Sequence, residues 1–243
     1  METAGYLKSR ESNAMRLADA TIVHSTAEAA YLAQETPGVD VRVVPWALTA
    51  EPRTVPFEDR HGIAFVGGMR HAPNPDAVRW MAAEVLPRVW AREPEMHCLL
   101  VGADWPEPVW GRIDPRLRLT GQVARLDEVF DRVRLTIAPL RFGAGVKGKV
   151  LDSFAHGLPC TMSPIAAEGI PLTEVLRSAV TTDALQMADR ICDLHNRPTL
   201  NRLHAEAGLA LIRDVYTESA VAAAIEAIAG PGVVRRSIVA VSA

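Results

Sequence analysis

Short runs of apolar residues recur along this chain, and between them apolar positions return every three to four residues. The short runs are typical of strands buried on both faces of a parallel sheet, and the longer segments are typical of amphipathic helices. Their alternation predicts an α/β fold, a Rossmann-like doubly wound parallel sheet with helices at the carboxyl terminus. The predicted strands cover residues 21–24, 41–44, 63–66, 97–101, 117–120, 135–138 and 159–162.

A helix is predicted shortly after the strand at 63–66. Asn74, Pro75 and Asp76 favour a helix start there, since they offer a side-chain cap, a first-turn proline and an acid for the helix dipole. Pro87 is expected to kink or end this helix because it cannot donate a backbone hydrogen bond. The apolar residues at helical spacing are Val78, Met81, Ala82, Val85 and Val89.

Two stretches interrupt the alternation of strands and helices. Residues 46–60 contain two prolines and no apolar period, which indicates a linker between domains. Residues 1–45 supply only two strands and two helices, too little for a domain, and are interpreted as the tail of a larger unit. Residues 61–230 are predicted to form an α/β domain that is helical after residue 183, and residues 231–243 a tail.

Composition excludes several classes of function. Forty-nine per cent of the 243 residues are hydrophobic, which is enough for a substantial core. The net charge of -3 argues against a nucleic-acid partner. Three cysteines that are far apart favour a reducing compartment and, with seven histidines that do not cluster, predict no metal site. The chain lacks a signal-peptide pattern and a membrane-spanning apolar run, so we expect a cytoplasmic protein, with peripheral association with the inner membrane left open.

The segment 136–159 is the most informative for chemistry, because it reads as a strand, a glycine-rich turn and a helix. Glycines let backbone N–H groups approach an anion, the helix start adds partial positive charge, and two lysines add formal charge. Each charge-assisted contact with phosphate contributes roughly 1.5–3 kcal/mol. The turn therefore predicts a diphosphate site, with an ordinary glycine turn and solvated lysines as the alternative. Its residues are Gly143, Gly145, Lys147, Gly148 and Lys149.

Two other motifs compete for this turn. The spacing nearly matches a P-loop, but Val150 stands where Ser or Thr would bind magnesium, so that interpretation fails. Gly143, Gly145 and Gly148 match the dinucleotide fingerprint, and Glu168 lies where an acid would bind ribose. The fingerprint normally follows the first strand of its domain, whereas several strands precede this turn.

Seven segments follow one another along the chain: LADATIVHSTAEAAYL, VRVVPWAL, IAFVGGM, CLLVGAD, LRLTGQVARLDEVF, LTIAPLRFGAGVKGKVLDSFAHGLPC and AAEGI. In this order they resemble family-4-type glycosyltransferases of the two-Rossmann-domain (GT-B) type. The resemblance covers about residues 10–230, from the last α/β unit of the N-terminal domain through the whole C-terminal, donor-binding domain. It implies that residues 1–45 are the remnant of the N-terminal acceptor domain and that residues 61–230 form the nucleotide-sugar-binding domain.

The resemblance implies a role for individual residues. The turn after the first strand of the donor domain would contact phosphates or the sugar, the turn after 117–120 would contact the nucleobase, and the glycine–lysine turn would receive the diphosphate. The first group is Gly67, Gly68 and Arg70, the second Gly121, Gln122 and Val123, and the third Gly145, Val146, Lys147 and Lys149. For Arg70 a solvated loop residue is the alternative.

Two acids complete the implied site. Asp152 occupies the position of the family's ribose-binding Glu and is one methylene shorter, so a helix-dipole acid is the alternative. Glu168 is implied to contact the sugar or phosphate edge. The first Glu of the family's Glu-x7-Glu pair is absent, as in a branch with glycine-rich loops.

The resulting hypothesis is a hexosyltransferase-like enzyme that transfers sugar from a nucleotide-diphosphate donor to a sugar, lipid or protein acceptor, with retention at the anomeric carbon and no cofactor. Because most of the acceptor domain is missing, we expect the chain alone to be inactive or to need a partner that supplies this domain. The alternatives are a non-catalytic nucleotide-sugar-binding subunit or remnant, a sugar-nucleotide epimerase, or an NAD-binding dehydrogenase.

Overall fold

The computed structural model describes residues 2–106 and 114–230. Its strands are β1 (Thr21–Val23), β2 (Val41–Val43), β3 (Ile63–Val66), β4 (Cys98–Val101), β5 (Leu117–Gly121), β6 (Leu135–Ala138) and β7 (Cys160–Met162). The helices are α1 (Glu2–Leu17), α2 (Thr26–Glu35), α3 (Pro73–Trp80), α4 (Leu86–Trp90), α5 (Asp127–Phe130), α6 (Gly148–Ala155), α7 (Pro164–Ala167), α8 (Glu174–Arg177), α9 (Ala184–Asn196), α10 (Pro198–Val215) and α11 (Glu218–Ala229). No helix in this described part combines the length and apolar character needed to cross a bilayer.

Five strands form one parallel sheet in the order β5-β4-β3-β6-β7. All four residues of β4 and of β6 are buried, as expected for strands covered on both faces. All seven predicted strands are present, with ends that differ by at most one residue from the prediction. The α/β, Rossmann-like fold is therefore confirmed.

The helix after β3 begins differently from the prediction. Pro73 is its first residue and Ala72 its N-cap, without a side-chain cap, so the prediction that Asn74 caps the helix is wrong. Asn74 lies in the first turn and is buried. A π-helical turn, Met81–Val85, interrupts the helix and leads into α4, which has Pro87 in its first turn. The irregularity expected at Pro87 is present, and a local change of helix type accommodates the missing N–H.

The predicted turn–helix segment after β6 is confirmed. α6 begins at Gly148, and Gly157 follows its end with a φ of 66°, the conformation that favours glycine at a helix end. The carboxyl-terminal part is helical, as predicted, and Asp183 caps α9 by accepting a hydrogen bond from the Gln186 N–H at 2.9 Å.

Contacts divide the chain into two units, residues 49–214 and residues 1–48 together with 215–243. The helix α11 thus groups with the N-terminal segment, although the sequence analysis included it in the 61–230 domain. The Leu48 N–H donates to the Tyr216 carbonyl at 2.8 Å, so a backbone hydrogen bond joins the two segments of the smaller unit. The division into an acceptor-domain remnant, a linker, a donor domain and a tail, with boundaries at residues 45, 60 and 230, stays a prediction.

The smaller unit contains a two-stranded parallel sheet of β1 and β2, connected by α2. The Ser25 hydroxyl caps α2 by accepting from the Glu28 N–H at 3.2 Å, and it donates to the Glu28 carboxylate at 2.9 Å. This reciprocal pairing follows from the sequence Ser-x-x-Glu before a helix.

Candidate functional site

The carboxyl ends of all five strands lie at one edge of the larger sheet, because the strands are parallel. The chain passes from β3 to β4 and β5 on one side and returns to β6 and β7 on the other. In sheets of this kind, ligands bind in the crevice where the strand order reverses. Here that crevice lies between the loops after β3 and β6, which carry the predicted Gly67–Gly68 turn and the glycine–lysine turn.

The turn after β3 is packed too closely for a side chain at its first glycine. A Cβ on Gly67 would lie 2.6 Å from the Asn74 amide nitrogen, and a Cβ on Gly102 would lie 2.4 Å from the Gly67 carbonyl oxygen. The Gly67 N–H donates to Val101 at 2.7 Å, and the Trp105 indole N–H donates to the Gly67 carbonyl at 2.9 Å. The glycine is required for a close approach of the loops after β3 and β4.

Asn74 connects the two loops that flank the crevice. Its Nδ2 donates to the Gly68 carbonyl at 2.8 Å, and its Oδ1 accepts a hydrogen bond from Lys149 Nζ at 2.6 Å. One buried amide therefore links the turn after β3 to the first turn of α6. The sequence analysis missed this role, since it assigned Asn74 to a helix cap; the only available signal was that Asn is unfavourable inside a helix.

Lys149 lies on α6 and is half-buried, with its ammonium close to residues of β3 and α3. Its Nζ is 4.3 Å from the centre of the buried Phe65 ring. Burial is the main cause that lowers the pKa of this ammonium to about 7; the Cys160 thiol opposes the shift, and Lys147 adds to it. The Cys160 thiol is itself neutral, because burial raises its pKa to about 12. An anion placed beside Lys149 would restore its positive charge and be strengthened by the low local polarity.

Lys147 is buried at the start of α6 and faces the loop after β7. Its ammonium donates to the Gly145 carbonyl, and its Nζ lies 3.7 Å from a Glu168 carboxylate oxygen. No side chain caps the amino terminus of α6, whose N-cap is Lys147 itself. The structure thus brings together backbone N–H groups, two lysines and Glu168, four features that the sequence analysis placed in one site.

A second contact joins the same two loops. The Arg141 Nε donates to the Asp76 carboxylate at 2.8 Å, and a second guanidinium nitrogen also contacts this carboxylate. The hydrogen bond from Arg141 lowers the pKa of Asp76. Asp76 was predicted as a helix-dipole acid, and it also ties the start of α3 to the loop after β6.

The turn predicted to contact the nucleobase follows β5, which lies two strands away from β3. The pairing of β4 with β5 shifts register between Leu100 and Val101, so Thr120 bulges out of the ladder and its hydroxyl donates to the Leu100 carbonyl at 3.2 Å. Gly121 and Gln122 after the bulge are exposed at the carboxyl edge. The Val123 side chain packs against a hydrophobic cluster around Val129 and Phe130. A ligand at this turn would therefore meet the backbone of Val123 and not its side chain.

The surroundings of Arg70 and Asp152 bear on their predicted ligand contacts. Arg70 forms an ion pair with Asp104 at 2.8 Å, with 86% of its side chain exposed, and is directed to the loop after β4. Asp152 lies on α6, and burial raises the pKa of its carboxyl while His156 opposes this. Asp152 forms no ion pair with Lys149 within the described residues. These positions leave both proposed contacts as predictions.

A cavity of about 410 Å³ lies at the opposite edge of this unit. Its lining includes Arg60, Gly157 and Asn201, which precede or support the amino ends of the strands, and none of the predicted site residues. Within residues 2–106 and 114–230, no three His, Cys, Asp or Glu side chains are grouped as a metal site.

A sequence profile described as Glycosyl transferases group 1 matches residues 60–197, more than half of the chain. The match contains β3 to β7, Asn74 and the glycine–lysine turn. None of the curated proteins matches this sequence.

Solved structures of GT-B glycosyltransferases share the fold. A TarM variant from S. aureus, in complex with Fondaparinux, alpha-GlcNAc-glycerol and UDP, aligns with a TM-score of 0.77 at 11% identity, over 94% of this chain and 46% of TarM. Sucrose-phosphate synthase from Thermosynechococcus elongatus aligns with a TM-score of 0.72 at 18% identity, over 97% and 62%. HepE from Anabaena, in complex with UDP-glucose, aligns with a TM-score of 0.68 at 12% identity, over 91% and 67%. This chain spans about half the length of TarM.

Proposed function

Because this chain belongs to the glycosyl transferases group 1 family, we propose that residues 49–214 bind the diphosphate of a nucleotide-sugar as the donor part of a glycosyltransferase. The observation that carries the proposal is the pair of lysines at the crevice between β3 and β6. Lys149 is held by a neutral amide and Lys147 by a carbonyl and Glu168. A dianionic group between them would gain two charge-assisted hydrogen bonds.

The proposed orientation follows the order of the strands. The diphosphate lies at the amino terminus of α6, the transferred sugar toward Gly67, Gly68 and Glu168, and the ribose and base toward Asp152 and the turn Gly121 to Val123. Neighbouring strands are about 4.8 Å apart, so the base turn is roughly 10 Å from β3. That spacing suits a ligand that extends along the carboxyl edge.

In the proposed reaction the bond between the anomeric carbon and the diphosphate breaks, a bond from that carbon to a nucleophilic atom of the acceptor forms, and the acceptor loses a proton. The electron pair of the broken bond leaves as negative charge on the nucleoside diphosphate. Lys147, Lys149 and the uncapped start of α6 would stabilise that charge without reorganising. We further propose a hexose donor, retention at the anomeric carbon and no cofactor, with a sugar, lipid or protein acceptor bound by an acceptor domain. TarM and HepE, which share the fold, were crystallised with UDP or UDP-glucose.

The test is calorimetric titration of the purified chain with UDP, GDP, ADP and NAD, repeated with Lys149→Met. Binding of one diphosphate, weakened roughly 10- to 100-fold in the variant, is expected from the loss of one charged contact. Arg202→Met serves as the control, since it removes the same charge from an exposed position on α10. Binding of NAD alone, or equal losses in both variants, would contradict the proposed donor site.

A further inference from the structure

Asn74 is a buried polar residue whose position is not explained by any role in its own helix. It lies in the first turn of α3 but makes no cap, and only 3% of it is exposed. Asn is less favourable than Ala in a helix by up to about 0.7 kcal/mol, and burying an amide is unfavourable unless it is hydrogen-bonded. Its partners, Gly68 and Lys149, both lie outside the helix.

Building on the proposed diphosphate site, we propose that Asn74 is its positioning residue, which holds the Lys149 ammonium and the Gly68 backbone in register for the same ligand. The two ends of the amide have distinct partners, a carbonyl oxygen for Nδ2 and an ammonium for Oδ1. Rotating the amide by half a turn would oppose oxygen to oxygen and nitrogen to ammonium. The network therefore permits one orientation.

The amide of Asn74 is uncharged, and this matters for anion binding as much as the hydrogen bonds that it forms. A carboxylate at this position would pair with Lys149 and compete with an incoming anion, whereas an amide oxygen orients the ammonium and leaves its charge uncompensated. The remaining groups that face Lys149 are the Phe65 ring, the protonated Cys160 thiol on β7 and Lys147 from the turn. Among the described residues, no carboxylate lies within ion-pair distance of Lys149.

Gly67 limits how Asn74 can move. A Cβ at Gly67 would come within 2.6–2.8 Å of three atoms of the Asn74 amide, so the turn after β3 closes directly over this side chain. The backbone of this turn therefore restricts the position of the amide. The turn that contains Gly67 and Gly68 thus both confines Asn74 and accepts its hydrogen bond.

The experiment compares Asn74→Ala and Asn74→Asp with Asn201→Ala. Asn201 is the matched control, because it is also a buried Asn in the first turns of a helix and its Nδ2 donates to two carbonyls, those of Arg134 and Leu194. Pyrophosphate is the probe, titrated by calorimetry between pH 6 and pH 9. The titration of Lys149 is followed separately, without ligand, by NMR of ¹³Cε-labelled lysine.

The chain has only three lysines, Lys8, Lys147 and Lys149, so the NMR signal that disappears in Lys149→Met is that of Lys149. We expect Asn74→Ala to weaken pyrophosphate binding about fivefold and to lower the Lys149 titration midpoint, since the ammonium loses an acceptor. Asn74→Asp should weaken binding further and raise the midpoint. Asn201→Ala should lower thermal stability and change neither the affinity nor the midpoint.

A purely structural Asn74 would not shift the Lys149 titration in opposite directions in the two variants. Unchanged midpoints, or equal effects of Asn74→Ala and Asn201→Ala on affinity, would overturn the positioning role. If pyrophosphate and nucleoside diphosphates do not bind even to the natural chain, the proposed function fails. In that case the NMR titrations still decide whether Asn74 positions Lys149.

Discussion

The two edges of the five-stranded sheet both contain buried polar groups, and the hydrogen bonds that these groups form differ between the edges. At the amino edge, Arg134 donates to the carbonyls of Phe57, Arg60 and His195, and His195 Nε2 accepts from the Gly62 N–H at 3.0 Å. These partners are backbone groups. At the carboxyl edge, the central contact is between two side chains, Asn74 and Lys149.

The two buried asparagines show the same contrast. Asn201 donates both amide hydrogens to backbone carbonyls, an arrangement that satisfies its donors and stabilises the fold. Asn74 uses one end on the backbone and the other on an ammonium whose pKa burial lowers to about 7. A group that is desolvated and yet unpaired with an acid is costly without a ligand, and for this reason perturbed groups concentrate at functional sites. The comparison indicates that the amino edge serves stability, and it supports the proposal that the carboxyl edge serves binding.

The largest effect is expected at the amino edge, on acidification. Burial lowers the pKa of His195 to about 4, from 6.5 in the unfolded chain, so the folded state disfavours its protonation. The contribution of neutral His195 to the free energy of unfolding is fully present above about pH 6.5. About 3 kcal/mol of this free energy is lost as the pH falls toward 4. Urea unfolding between pH 4 and pH 8 measures this loss.

His195→Gln keeps an acceptor for Gly62 and should flatten that profile, whereas the exposed His71→Gln should leave it unchanged. The same steep profile in His195→Gln would show that other groups control acid stability. Burial also lowers the pKa of His204 to about 4, so a residual slope is expected.

The second effect tests close packing at the carboxyl edge. A Cβ on Gly67 would overlap the Asn74 amide, so Gly67→Ala should lower the free energy of unfolding by about 1–3 kcal/mol. The neighbouring Gly68→Ala is the control for stability, because its Cβ would be 3.4 Å from the nearest atom, an ordinary contact. Equal unfolding free energies for the two variants, measured in urea, would refute the predicted overlap.

The third effect links the carboxyl edge to pH. A bound diphosphate favours protonated Lys149 and raises its pKa above 7, so binding takes up a proton near pH 8. Affinity should be highest below pH 7 and fall by up to about tenfold per pH unit above it. Calorimetry in buffers with different ionisation enthalpies measures the proton uptake, and Lys149→Met should abolish it.

The smallest effect concerns Arg70. This residue is exposed and paired with Asp104, and such surface pairs contribute about 0–1 kcal/mol. We expect Arg70→Ala to change diphosphate affinity by less than about threefold. A loss comparable with that of Lys149→Met would show that Arg70 turns into the crevice when a ligand binds.

Much of the fold was predictable from local pattern. The apolar runs predicted all seven strands of the described residues. For β3, β4, β6 and β7 the reason is that strands covered on both faces must be apolar, whereas β1, β2 and β5 are only partly buried. The glycines and lysines of the turn after β6 predicted its conformation and its place before α6. Asn74 was misassigned because Asn before Pro and Asp favours a helix cap locally, and only packing against Gly67 and Lys149 selects another use.

The sequence by itself determined the elements, the α/β class and the chemistry of the glycine–lysine turn, because these depend on periodicity and on residues adjacent in the chain. Only the tertiary structure decided that β3 lies between β4 and β6, that Asn74 joins Lys149 across 75 positions, and that α11 groups with the N-terminal segment. Strand order and long-range hydrogen bonds depend on how elements pack together, and residues distant in sequence carry no local pattern that records their pairing.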